Sequence, residues 1–160
     1  MATIKYKSSI GELLLSARDG YVTELYFDGG ITTPPTLKEA APDPEDAKIL
    51  QALTKELDAY FAGTLREFTV PLKPAGTPFR MKVWEALQTI PYGGTISYKQ
   101  LAERIDNPKA IRAVGGANHH NPISIIIPCH RVIGASGKLV GYGGGLNVKE
   151  FLLELEKKNM

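Results

Sequence analysis

Ten residues in the middle of this chain constrain its fold more than any others. Thr69–Pro78 (TVPLKPAGTP) holds three prolines and a glycine, which suit neither a helix nor an uninterrupted strand. The segment divides the 160 residues into 1–75 and 76–160, each the size of a small domain. The chain is therefore one compact unit or two small halves sharing an interface.

The first half reads as strands followed by a helix. Thr3–Ser8, Glu12–Arg18 and Tyr21–Phe27 are short strand-like runs, and Asp19-Gly20 is a two-residue hairpin signal. A Gly/Thr/Pro-rich loop, Asp28–Thr36, follows. Asp43-Pro44-Glu45-Asp46 then supplies an N-cap, a proline at the first helical position and acids in the first turn. The stripe Leu50, Leu53, Leu57, Tyr60, Phe61 predicts a helix that Gly63 stops. Nothing in this half suggests chemistry; it reads as an α+β scaffold.

Past the divide, Phe79, Val83, Leu87 and Ile90 mark a helix ended by Pro91-Tyr92-Gly93-Gly94. Ser97-Tyr98-Lys99-Gln100 fits a capping box, and Leu101 and Ile105 continue the apolar face. Asp106-Asn107-Pro108 breaks that helix and caps another of about Lys109–Asn118 (KAIRAVGGAN), with Pro108 at its first position. Two short helices joined by a tight turn make a helix-turn-helix candidate. Gly115-Gly116 inside the second helix costs roughly 1 kcal/mol per glycine relative to alanine. The small residues Ala110, Ala113, Gly115, Gly116 and Ala117 permit a close approach, either by another helix of the protein or by a nucleic-acid backbone. Lys99, Lys109 and Arg112 nearby favour the nucleic acid.

Charge points the same way. Residues 1–75 carry 8 basic and 11 acidic side chains, and residues 76–160 carry 11 and 6, so the net +2 conceals −3 beside +5. A polyanion would meet only the second half. With 43% hydrophobic and 22% charged residues, disorder is excluded by composition. No apolar run approaches the roughly 18 residues that span a bilayer, and the N-terminus lacks a secretory layout. The expected setting is soluble and cytoplasmic, or nuclear in a eukaryote, with no membrane. The single cysteine, Cys129, excludes an internal disulfide, a cysteine-rich zinc site and a two-thiol redox pair.

That cysteine lies in Ile125–Val132 (IIIPCHRV), directly after an apolar run and a proline. Pro128 cannot continue a ladder or a helix, so Cys129-His130 is expected where an extended segment turns. A free thiol is only a few per cent ionised at neutral pH, and a neighbouring imidazole raises that fraction. Neighbours on an extended chain point opposite ways, so a bend or a bridging water has to bring His130 back. The alternative is an inert buried cysteine beside a surface histidine. A metal site lacks the usual ligand spacing.

The ISY segment, the RAVGGA helix, the PCHRV pentapeptide and the GYGGG loop, in this order along the chain, resemble the O6-alkylguanine-DNA alkyltransferases, also called methylated-DNA–protein-cysteine S-methyltransferases. The resemblance runs from about Phe79 to Glu156; the first half shares only size and layout. It implies an α+β fold: a small N-terminal antiparallel sheet plus helix (RNase H-like), then a mainly α-helical winged-helix or helix-turn-helix-like C-terminal domain. The implied activity is stoichiometric, irreversible transfer of an alkyl group from O6-alkylguanine in double-stranded DNA, with O4-alkylthymine left open. It implies no cofactor, no metal, no obligate protein partner and a monomer.

Residue by residue, Cys129 matches the acceptor thiol, His130 the group that deprotonates it through a water, and Glu156 the carboxylate orienting that histidine. Asn121 matches the brace of the active-site turn, and Tyr98 the proton donor to the departing guanine. Arg112 matches the finger that fills the stack when the base is flipped out from the minor-groove side, on a DNA-binding surface with Ala113, Gly115, Gly116, Lys109 and Tyr98. Val132, Tyr142, Gly143 and Pro128 match the substrate pocket. The chain departs from many members at Ala117-Asn118-His119-His120, and at Gly141 and Gly143, which replace side chains present in some relatives. Some relatives carry an N-terminal zinc site built partly from cysteines, and this half has none. Two rival readings are a non-catalytic lesion binder, which would lack the thiol, and a Cys-His-Glu hydrolase, which would need no helix-turn-helix.

Overall fold

Alternating side chains and tight turns make the N-terminal stretch a meander. The computed structural model describes residues 2–41, 43–137, 139 and 142–160. Strands β1 (Ala2–Ser8), β2 (Gly11–Arg18) and β3 (Tyr21–Phe27) pair antiparallel in sequence order. Asp19 and Gly20 both have positive φ, 53° and 83°, as a type I′ hairpin turn requires. Helix α1 (Pro44–Phe61) begins with the Asp43 side chain accepting from the Asp46 N–H, and its Leu50, Leu53, Leu57 and Tyr60 are buried.

The proline-rich divide is docked rather than free. Val22 and Lys73 exchange backbone bonds with Pro71 and Val22 at 2.9 Å each, so the segment lies along the outer edge of β3. Further along that edge, Leu25 donates to the Pro122 carbonyl (2.8 Å) and accepts from the Ser124 N–H (3.1 Å). The sheet's open edge is thus covered by two passes of chain, and the second ties the loop before Cys129 to the N-terminal half.

Helix α2 (Pro78–Leu87) is capped by Thr77. It ends at Leu87, short of the predicted Ile90: the Thr89 hydroxyl bonds the Ala86 carbonyl (2.6 Å), and Pro91 disfavours helical φ/ψ at the residue before it. Strand β4 (Ile96–Ser97) leads into α3 (Tyr98–Arg104), where both hydrogen bonds of the Ser97/Gln100 capping box form.

The next helix, α4 (Ile111–His119), starts later than its expected Lys109, and Pro108 is not its first residue. Asp106 takes a left-handed φ of 57°, and Ala110 N–H bonds the Asn107 carbonyl (3.0 Å). Pro108 is therefore spent in the turn between the helices. Beyond a 3-10 turn (Cys129–Arg131), β5 (Val132–Ile133) pairs parallel with β4, and α5 (Leu146–Lys158) completes the chain. One continuous apolar cluster runs from Ala2 to Leu152 across both halves. Among the described residues, no helix is long and apolar enough to cross a membrane.

Candidate active site

The thiol sits at the first residue of the 3-10 turn, where Pro128 ends the apolar run and the chain bends. That bend carries Cys129, His130 and Arg131, all three buried. The loop leading to it is strained: Ile125, β-branched and buried, has φ 72°. Asn121 braces this loop across its width. Its Nδ2 donates to the Ile127 carbonyl (2.7 Å) and its Oδ1 accepts from the Ile123 N–H (3.0 Å).

Helix α5 aims a polar face at the turn. Lys149, Leu152 and Glu156 lie three and four residues apart, on one side of the helix, and all are fully buried. Glu156 is a hub. Its Oε2 accepts from His130 Nε2 (2.6 Å), the Tyr60 hydroxyl (2.6 Å) and Arg131 Nη2 (3.0 Å). Its Oε1 accepts from Arg131 Nε (2.8 Å) and the Gly93 N–H (3.2 Å). Burial pushes the carboxyl pKa up, but the His130 hydrogen bond and the Arg131 guanidinium outweigh it and hold Glu156 well below the carboxylate range. Arg131 also donates through Nη1 to the Ile90 carbonyl at 2.7 Å. Lys149 Nζ donates to the Val132 carbonyl (2.6 Å), and burial lowers its pKa to about 8.

These charges bias the site toward one more anion. Arg131 and Lys149 are cations and Glu156 the matching anion, so ionisation of Cys129 balances the buried set. Burial pushes the thiol pKa up, while the Asn121 amide and the Lys149 cation pull against it. Burial, with Arg131 and Lys149, lowers the His130 pKa against the pull of Glu156. The resting pair is therefore a neutral thiol and a neutral imidazole, rather than a standing thiolate. His130 Nδ1 is buried and has no hydrogen-bond partner among the described residues, which leaves it the available proton acceptor.

Tyr98, the first residue of α3, is half-buried and hydrogen-bonds Asn118; burial raises its pKa, so it keeps its proton at rest. Asn118 Nδ2 also reaches the Cys129 carbonyl at 3.4 Å. On α4, Arg112 and Ala113 are exposed, as is Lys109 just before it. A Cβ on Gly115 would lie 3.9 Å from the Tyr98 ring, and one on Gly116 would meet nothing within 4 Å. Neither glycine is demanded by packing inside the protein.

Val132 and Tyr142 are buried, and Gly143 is partly so. Tyr142 stands edge-on to Phe27 at 5.5 Å. A Cβ on Gly143 would come within 2.6 Å of Thr32 Oγ1, and one on Gly144 within 2.9 Å of the Phe27 ring. The loop glycines thus let this segment lie flat on the N-terminal half. Gly141 falls outside the described residues. Pro128 and Arg131 line a groove of about 770 Å³, whose walls do not include Cys129, Tyr98, Val132 or Tyr142. Among the described residues, no group of three or more His, Cys, Asp or Glu could hold a metal ion.

Four contributors to this geometry were not singled out from the sequence: Tyr60, Arg131, Lys149 and Asn118. Tyr60 brings a hydroxyl from the N-terminal half, where the sequence suggested no chemistry, onto the Glu156 carboxylate. It lay hidden in an ordinary apolar helix stripe, where a buried hydroxyl cannot be told from a ring packed for bulk. Lys149 did carry a signal, since it falls seven residues before Glu156 on the same helix face.

A lone buried thiol, followed in the same turn by the histidine of a buried imidazole–carboxylate pair and joined to a helix-turn-helix with a basic exposed edge, fits the class of thiol proteins that meet a nucleic acid. Comparison with known proteins narrows this. Residues 78–158 match the family described as 6-O-methylguanine DNA methyltransferase, DNA binding domain, and residues 1–74 match its ribonuclease-like domain. The methylated-DNA–protein-cysteine methyltransferase of Methanosarcina acetivorans is 48% identical, with 94% of this chain and 95% of that protein covered. The crystal structure of Mycobacterium tuberculosis O6-methylguanine methyltransferase superposes with a TM-score of 0.88 at 50% identity, covering 99% of this chain and 94% of that one. A structure of Mycobacterium tuberculosis OGT in complex with DNA gives 0.87 at 50% identity, covering 97% and 92%. The chain belongs to the 6-O-methylguanine DNA methyltransferase family.

Proposed function

We propose that this protein repairs DNA by taking the alkyl group of O6-alkylguanine irreversibly onto Cys129. The observation that carries the reading is the buried Glu156–His130 pair, which leaves Nδ1 open on the residue that follows the family's thiol in the buried turn. His130 takes the thiol proton through a bridging water, and the thiolate sulfur attacks the alkyl carbon. The S–C bond forms as the C–O6 bond breaks, and the electron pair passes to the purine. Tyr98 protonates the departing guanine at a ring nitrogen and later regains a proton. Lys149 and Asn121 favour the transient thiolate. The product thioether is not cleaved by water, and Cys129 is the only cysteine, so one molecule serves one lesion.

A stacked base cannot present its alkyl carbon to a buried sulfur, so the nucleotide leaves the stack, at a cost of a few kcal/mol. Arg112 fills the gap, and the small exposed face of α4, including Ala113 and Gly116, lets the helix approach the minor groove closely. Val132, Tyr142 and Gly143 wall the pocket for the base. The partner is duplex DNA carrying the lesion, and the protein acts as a monomer.

Incubation with a duplex containing O6-methylguanine, followed by intact-mass measurement and peptide mapping, tests the reading. The protein is expected to gain one methylene unit on the Cys129 peptide and no more with further substrate. Binding without a mass change would indicate a lesion binder, and repeated ester cleavage a hydrolase.

Two further outcomes follow from the geometry. His130→Gln is expected to slow transfer about 10²–10⁴-fold at neutral pH while Gln still fills the site. Its rate should climb with pH as hydroxide ionises the thiol, whereas the native rate levels off above a His130 pKa held below 6.5. Parallel pH profiles would remove His130 from the proton path. Arg112→Ala is expected to slow repair of duplex far more than reaction with the free O6-methylguanine base, because only the duplex needs the finger. Equal losses on both substrates would remove that role.

A further inference from the structure

Helix α1 belongs to the half of the chain that carries neither the thiol nor the helix-turn-helix, yet it delivers a hydroxyl into the buried relay. We propose that Tyr60 is a positioning residue of the alkyl-transfer reaction: its hydroxyl fixes the Glu156 oxygen that orients His130, which makes the N-terminal domain part of the active site. The inference rests on the alkyl-acceptor reading above.

The geometry is specific. Tyr60 is fully buried, and its hydroxyl lies 2.6 Å from Oε2, the same oxygen that His130 Nε2 reaches at 2.6 Å. The ring is held by Phe61, Phe68 and Tyr92 at centroid distances of 5.5, 5.4 and 6.4 Å, so the hydroxyl is aimed before any substrate arrives. Arg131 supplies the remaining contact to Oε2 and one to Oε1, and the Gly93 N–H completes Oε1. The other titratable groups that interact with the carboxylate are Tyr92 from the α2–β4 loop and Tyr142 from the loop before α5, while Lys149 on α5 acts on His130. None of them stands in for the Tyr60 hydroxyl.

A donor on Oε2 competes with the imidazole for the same negative charge. Without it, the oxygen attracts the protonated imidazole more strongly, and His130 titrates at higher pH. A histidine already carrying its proton cannot take the thiol's. Tyr60 therefore restrains the carboxylate enough to orient His130 without charging it.

The test is the His130 imidazole titration, followed by ¹⁵N NMR in the intact protein, alongside the pH profile of methyl transfer. Tyr60→Phe keeps the ring contacts and removes only the hydroxyl. It is expected to move the His130 titration up by on the order of one pH unit, and to move the acid limb of transfer with it, leaving lesion-duplex affinity unchanged. Tyr6→Phe is the structural control, since it removes a buried-edge hydrogen bond to Asp58 (2.5 Å) between β1 and α1. It should cost stability and leave His130 where it was.

Replacing Tyr60 by 3-fluorotyrosine, a stronger donor of nearly the same shape, should move the titration downward; this second variant decides the matter if Tyr60→Phe folds poorly. An unmoved His130 in both Tyr60 variants, or an equal movement in Tyr6→Phe, overturns the role while the native protein still gains its methyl group. A native protein that gains no methyl group overturns the alkyl-acceptor reading, and the relay assigned here with it.

Discussion

Cys129→Ser is expected to accept no measurable methyl group while still binding lesion-bearing duplex with native affinity. The substitution changes one buried atom and leaves the 3-10 turn and the helix-turn-helix intact. A serine hydroxyl ionises far less readily than a thiol, and the burial that already raises the Cys129 pKa would hinder it further. Oxygen is also a harder nucleophile than sulfur toward a saturated carbon. Loss of the nucleophile in covalent catalysis costs on the order of 10⁶-fold, which places the variant below detection in a stoichiometric assay. Intact mass and gel-shift affinity, measured together, check both halves of the statement. A variant that gains methylene would show that another side chain is the acceptor, and one that loses duplex affinity would show that the sulfur contributes to binding.

Glu156→Ala is expected to damage stability and transfer together. Among the described residues, the carboxylate is the only anion paired with the buried Arg131 guanidinium, and it accepts from His130, Tyr60 and Gly93 as well. Its removal leaves a buried charge without a counter-ion and several donors unsatisfied. Breaking one side of such a pair costs about 3–5 kcal/mol, a large share of the roughly 5–15 kcal/mol that holds a domain folded.

For a chain of this size that lowers Tm by roughly 10 °C or more, readable by calorimetry or by the denaturant midpoint. The effect has a pH signature. Folding holds the Glu156 pKa far below its ordinary 4.5, so its contribution is full above that value and is lost as pH falls toward the folded pKa. Native and variant stabilities should therefore converge in acid. A gap unchanged between pH 7 and pH 3 would mean the carboxylate is not the charge partner described here. Double substitution with Arg131→Met should recover part of the loss, because it removes the stranded cation.

Local chemistry was legible in the sequence because it acts over a few residues. The Asp19-Gly20 turn, the Asp43 cap ahead of Pro44 and the Ser97/Gln100 box are short-range hydrogen-bond or φ preferences, and each is present. Pro108 misled because a proline suits a tight turn as well as a first helical turn, and nothing local distinguishes the two. The thiol and its neighbours were legible for a different reason: a run such as PCHRV combines uncommon residues in a fixed order.

The tertiary structure alone decided which distant groups meet. Tyr60 and Glu156 are 96 positions apart, Lys149 and Val132 17, and the docking of Pro122–Ser124 on Leu25 spans the divide between halves. Those encounters depend on how apolar faces pack, and burial, which only the folded chain supplies, shifts the titration of an ordinary glutamate, lysine and tyrosine. Sequence by itself marked most of the elements and singled out the thiol; packing determined the electrostatics around it, because desolvation and long-range hydrogen bonds exist only once the two halves close on each other.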